Sequence, residues 1–253
     1  MIRRRMLFPQ LVALTVAILS TTPSVRGAEV QAFGKANQAF SEGRFQDAID
    51  NYQSLVQTGH WSAALFYDLG NAWFRLGNLG QAILNYERAL ALDPYHPEAQ
   101  ANLRLARDEA RALELEKNEL ERYVGIATRN QYTVAASVLF WLALFLGIHL
   151  HFLHRRSARL IALIVVLVAL STGAVFAAYL METGNHGSAL AIVTGKDVEA
   201  RLATADTSKG VLSLPAGSQI KILSERGDWL YAAMPNGLRG WIPANNAERV
   251  RLN

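Results

Sequence analysis

Two uncharged runs constrain this chain most. Residues 133–153 and 160–180 are each 21 residues long and contain no Asp, Glu, Lys or Arg. At about 1.5 Å per helical residue, each run crosses roughly 30 Å of hydrocarbon. A pair of buried core helices is the alternative, and two such runs in tandem argue against it. The connection 154–159 carries Arg155, Arg156 and Arg159. Arginines in a short loop place it on the cytoplasmic side. The expectation is a two-helix transmembrane hairpin, with transmembrane helix 1 over 133–153, a cytoplasmic loop over 154–159 and transmembrane helix 2 over 160–180. Everything before and after it then shares the opposite face.

The N-terminus gives the same orientation independently. Arg3, Arg4 and Arg5 precede an apolar run that ends in Ser, Thr and Pro. That is the layout of a signal peptide over 1–27, with an uncleaved anchor as the alternative, and both export the next domain. The four arginines of this segment account for the whole net charge of +4. Residues 28–122 are acidic, net −5, and residues 188–253 are weakly basic, net +2. Neither imbalance reads as a nucleic-acid surface. The chain has no cysteine, which excludes disulfides, thiolate metal sites and cysteine nucleophiles.

Between the leader and the hairpin a 34-residue period is visible. Ala36-Asn37, Gly43, Ala48-Ile49 and Tyr52 return as Gly70-Asn71, Gly77, Ala82-Ile83 and Tyr86. Leu69, Trp73, Ile83, Tyr86 and Leu90 fall on a helical stripe, Gly70 and Ala82 are small where helices would cross, and Pro94 ends the pattern. This arrangement resembles the tetratricopeptide repeat (TPR). It implies a domain over 28–122, with repeats at 29–62 and 63–96 and a charged closing helix over 97–122. Arrays of this kind bind extended or helical peptides in a groove lined by the first helix of each pair. The candidates for that groove are Asn37, Phe40, Ser41, Asn71, Phe74 and Arg75. Asn37 and Asn71 either grip a ligand backbone or satisfy neighbouring groups of the array. On the groove reading, Asn71→Ala leaves folding nearly intact.

Beyond residue 188 the pattern changes to short strands, read at 189–193, 198–202, 219–223, 229–233 and 240–242, with turns at Pro215-Ala216-Gly217, Arg226-Gly227-Asp228 and Pro235-Asn236-Gly237. Residues 184–187 read as a short polar linker. Leu214, Gly217, Ile220, Ile222, Trp229, Tyr231, Gly237, Gly240, Trp241, Ile242 and Pro243 resemble a bacterial SH3-like domain, which implies a small barrel over 188–253. The family's Val-Arg pair is displaced here to Val198 and Arg201. Trp229, Tyr231 and Trp241 are candidates for an aromatic ligand surface. The competing reading puts Trp229 and Trp241 in the barrel's core and rim.

No catalytic motif, cofactor site or metal site is expected. His149, His151 and His154 have a suggestive spacing without an accompanying carboxylate. The expected class is therefore a multidomain membrane protein and not an enzyme: an all-α TPR helical array, a two-helix transmembrane hairpin and an all-β SH3-like barrel. In this order, and in the phrases 62–72 and 80–90, the chain is similar to the BatE family of the bacterial aerotolerance (Bat) operon. That resemblance implies an inner-membrane scaffold with both soluble domains on the periplasmic side and a link to oxygen or envelope stress. It also implies von Willebrand factor A-domain membrane proteins as partners and, indirectly, a MoxR-type ATPase. A cell-wall tether is the second reading, with peptidoglycan bound by the SH3-like domain while the repeats recruit an effector.

Overall fold

The computed structural model describes residues 23–117, 119–152 and 157–252. Residues 1–22 of the leader read at 1–27, and residues 154–156 of the loop read at 154–159, lie outside the described residues. The chain divides into two compact units between Leu103 and Arg104.

The first unit is a stack of helices: α1 (Pro23–Ser41), α2 (Phe45–Gln57), α3 (Ala63–Arg75), α4 (Leu79–Leu92) and the start of α5 (Pro97–Ala110). Helix α1 begins inside the stretch read as the leader. Gly43 and Gly77 make the equivalent turns of the two pairs with φ of 78° and 72°, a region that costs other residues strain. The buried stripe repeats with the period. Ile49 and Ile83 are fully buried, as are Tyr52 and Tyr86 at 1% exposure. Ser62 caps α3 by accepting from the Leu65 amide, and Asn78 caps α4 by accepting from Gln81. The first repeat has Arg44 where the second has Asn78, so α2 starts without a side-chain cap, and Arg44 pairs with Glu42 and Asp47 instead.

The expected closing helix over 97–122 is corrected. Helix α5 stops at Ala110, Arg111 turns left-handed (φ 51°), and the Ala112 amide closes back on the Arg107 carbonyl at 3.1 Å. An L-residue in that region costs about 1–2 kcal/mol. The compensation lies further along, where 112–116 runs as a strap against the C-terminal sheet. Leu113 donates its amide to Ser218 Oγ (3.1 Å) and accepts from the Gln219 amide (2.8 Å). Leu115 donates to Gln219 Oε1 (3.1 Å) and is buried, as are Ser218 and Gln219. The sheet domain therefore does not begin at 188. It includes a strap from before the hairpin.

The strap leads through α6 (Glu119–Val124) to α7 (Arg129–Phe152) and α8 (Ala158–Thr183). Helices α7 and α8 have mean hydropathy 2.0 and 2.7 and are long and apolar enough to cross a membrane. They contain both uncharged runs, apart from residue 153, which lies outside the described residues. Their buried positions are Ala136, Ala143, Ser171 and Ala177. Small residues let the two backbones approach, and Ser171 Oγ donates across to the Ala136 carbonyl at 2.9 Å. At the open end Glu182 bridges Arg129 (2.7 Å) and Arg251 (2.6 Å).

The sheet contains β1 (Leu190–Val193), β2 (Val198–Arg201), β3 (Gly210–Leu214), β4 (Gln219–Arg226), β5 (Trp229–Ala233), β6 (Arg239–Pro243) and β7 (Ala247–Arg249). The order is β3-β2-β6-β5-β4-β1-β7, antiparallel at every pairing. All seven strands feed one core, including Val193, Ala200, Leu214, Ile220, Leu230, Ile242 and Ala247, with Leu113 of the strap packed against it. The expected small all-β core is present, and the hydrogen-bonded order is open, ending on β3 and β7. The anticipated linker is a tight turn. Asn185 donates its amide to Glu121 and its side chain to the Glu116 carbonyl (3.0 Å), and a Cβ on Gly184 would collide with Glu121.

Candidate partner-binding site

The first helix of each repeat carries a polar cluster, built twice from equivalent positions. In the second repeat Tyr86 on α4 donates its hydroxyl to Asn71 Oδ1 on α3 at 2.8 Å. Asn102 on α5 donates to the same oxygen at 2.9 Å and to the Tyr67 hydroxyl at 3.4 Å. In the first repeat Tyr52 donates to Asn37 Oδ1 at 2.6 Å. Phe33 stands where the second repeat has Tyr67, and Asp68 stands where it has Asn102. The aromatic packing repeats as well, with ring centroids at 5.8 Å for Phe33 and Tyr52 and 6.1 Å for Tyr67 and Tyr86.

Burial pushes both tyrosine hydroxyls well above their ordinary range, and the Asp68 charge adds to the effect at Tyr52. Both phenols therefore stay protonated and act as donors. Burial also raises the Asp68 carboxyl, and His96 opposes that rise. Asp68 has no hydrogen-bond partner among the described residues. The His96 ring lies against Tyr67 at 4.9 Å, and its Nδ1 accepts from the Ala99 amide at 3.3 Å.

Residues 63–96 match the tetratricopeptide repeat family. This repeat is a protein-interaction module, and the structure extends its geometry to the preceding pair of helices. No curated protein matches the chain.

Of the six groove residues expected from sequence, Asn37 is exposed and Asn71 half-buried, and both spend their side-chain oxygen on a tyrosine. Phe40 packs edge-on against Phe45 (5.3 Å), and the Arg75 guanidinium sits 5.0 Å above the same ring. Ser41 is exposed and donates back to the Gln38 carbonyl at 2.8 Å. Phe74 is half-buried. The structure adds Asp68, Asn102 and the two tyrosines, which the sequence pattern does not mark as groove residues. Their 34-residue spacing was the available signal, since it carries Tyr52 onto Tyr86 and Asp68 onto Asn102.

The sheet brings its three predicted aromatics together. Trp229 stands opposite Pro243 and Tyr231 opposite Trp241 in the β5–β6 ladder. The Tyr231 and Trp241 rings lie 5.0 Å apart. All three aromatics are half-exposed, whereas the intervening Leu230, Ala232 and Ile242 are buried. Strand alternation turns Trp229 and Trp241 away from the buried core, a position that fits both the rim reading and the ligand-surface reading. Arg201 sits beside Trp241 in register and Arg226 beside Trp229. His149 and His151 lie on α7, and His154 is outside the described residues.

Proposed function

We propose that this chain is a non-enzymatic, membrane-anchored interaction scaffold that holds a TPR groove and an SH3-like domain on one face of the bacterial inner membrane. What supports the reading is the order along the chain of a matched repeat, two helices long and apolar enough to cross a membrane, and a small antiparallel sheet. The matched repeat offers a helical groove, and the sheet is tied to the hairpin's open end through Glu182, Arg129 and Arg251. In this reading the arginine loop faces the cytoplasm and both modules face the periplasm, after cleavage of the leader. The resemblance to the BatE family suggests von Willebrand factor A-domain membrane proteins as partners, near a MoxR-type ATPase, in an aerotolerance or envelope-stress complex.

Topology is the direct test. A reporter active only outside the cytoplasm is fused after Asp93, within 155–157 and after Asn253. Signal from the first and last, and none from the middle, is the expected result. Signal from the middle alone inverts the protein and ends the periplasmic reading.

The aromatic face of β5 and β6 favours a second reading, a cell-wall tether. Half-exposed Trp229, Tyr231 and Trp241 share one face of β5 and β6 beside arginines, and such a face is suited to stacking on sugar rings of peptidoglycan. Detergent-solubilised full-length protein should then sediment with purified sacculi, and Trp241→Ala should leave it in the supernatant. Failure of the parent protein to sediment removes this reading.

A further inference from the structure

We infer that the first polar cluster is a receptor for a cationic side chain, a lysine or arginine of the protein segment bound in the groove, with Asp68 as its counter-ion. This rests on the groove reading above and specifies what the groove selects.

The chain contains its own control. In the second cluster Asn102 supplies the donor that closes the site, satisfying Asn71 and reaching Tyr67. In the first, the equivalent residue is an acid. An ionised carboxylate donates nothing, so Asn37 receives only the Tyr52 hydroxyl and Asp68 has no hydrogen-bond partner among the described residues. Phe33 in place of Tyr67 removes the other hydroxyl that could have served. A half-buried carboxylate without a donor is costly, and asparagine at this position would relieve the cost, as it does 34 residues later. What the open cluster lacks is an N–H donor bonded to its carboxylate, which a cationic side chain supplies together with charge.

The surroundings suit such a group. Asn37 is exposed, so the cluster is reached from outside. Phe33, half-buried and packed on the Tyr52 ring, gives it an aromatic edge that a cation can lie against. Neither nearby cation of α3 and the turn before α5 bonds to the carboxylate, although the His96 charge acts on it through space. Arg75, seven residues and about 10 Å along α3, lies on Phe45, and the Nδ1 of His96 accepts from the Ala99 amide. The net charge of −4 over residues 28–103, the part of the first unit after the leader, steers basic segments toward this surface.

The test uses full-length protein in zwitterionic lipid nanodiscs, panned against a random phage-displayed dodecapeptide library in parallel with Asp68→Asn. The variant installs the residue that the second cluster already tolerates, so it should fold. The wild type should enrich peptides with a lysine or arginine, and the variant should lose that bias. A selected peptide resynthesised with norleucine for its lysine should bind wild type at least about tenfold more weakly, the worth of a charge-assisted bond, and bind the variant equally. Enrichment without a basic bias, or a bias undiminished in Asp68→Asn, overturns the inference and leaves the groove reading standing. Enrichment of no peptide by either protein overturns both.

Discussion

The two repeats set a tyrosine against an asparagine at equivalent positions, Tyr52 on Asn37 and Tyr86 on Asn71, yet their surroundings diverge. The second is finished as a structural element: Asn78 caps its second helix, Asn102 closes its cluster, and Gly70 lets α3 meet the Tyr86 ring closely. The first has Arg44, Asp68 and Ala36 at those positions. The matched family repeat is the second one. The difference teaches that one period can be tuned for two tasks. The copy whose cluster is closed internally supports the stack, and the copy with an unsatisfied acid is where selectivity for a ligand can reside.

The sharpest break in the comparison is at the helix crossing. A Cβ on Gly70 would lie 2.7 Å from two Tyr86 ring carbons, and that ring is anchored by its hydroxyl. Gly70→Leu should therefore destabilise the array by about 3 kcal/mol. The equivalent Ala36 already carries a Cβ and is fully buried. Hydrogen exchange of the full chain, read over α1 to α4, checks this; unchanged protection of α3 and α4 would mean the crossing is elsewhere.

Next is Asn102→Asp, which opens the closed cluster by turning a donor toward Asn71 Oδ1 into an acceptor. It should cost about 2 kcal/mol by the same measurement. A third change corrects the expectation that Asn71→Ala is nearly silent. Its oxygen serves both Tyr86 and Asn102, so the variant strands two donors and should cost about 1.5 kcal/mol. Asn37→Ala strands one, at an exposed position, and should cost about 0.5 kcal/mol. Equal losses at the two sites would remove the distinction between closed and open clusters.

The smallest effect has the opposite sign. Asp68→Asn should stabilise the array by about 0.5–1 kcal/mol at neutral pH by supplying the missing donor. Burial raises the Asp68 carboxyl above its unfolded value of 3.8, so folding favours its protonated form. That contribution is complete below the unfolded value and is lost as pH rises through the raised folded one. The advantage of the variant should therefore be present at pH 7 and shrink toward pH 4, measured by urea unfolding. An advantage independent of pH would mean that the carboxyl is as well solvated in the fold as outside it.

Much of the fold was legible because its elements repeat a short pattern. The 34-residue period located α1 to α4, and the uncharged runs located α7 and α8. Strand alternation found β1, β2, β4, β5 and β6 but not β3 or β7. The first ends the sheet with only Leu214 fully buried, and the second has three residues, so neither shows a clean alternation. The charged pattern carries α5 too far because its stop is Arg111 and not the glycine or proline that marks such a turn. Among site residues, Asn37 and Asn71 were visible as repeats. Their actual partners were not, since a hydroxyl 15 residues away on another helix leaves no local trace.

Sequence alone determined the order of parts, the helical repeat, the two apolar helices and the strands that carry the aromatics of the sheet. Each follows from periodicity or length, which a linear chain displays. Tertiary structure alone decided that Asn102 closes one cluster while Asp68 leaves the other open. It also decided that Leu113 and Leu115 belong to a sheet whose bonding residues, Ser218 and Gln219, lie more than 100 positions later. A contact between distant segments depends on which donors and acceptors folding brings within bonding distance, and no period along the chain encodes that.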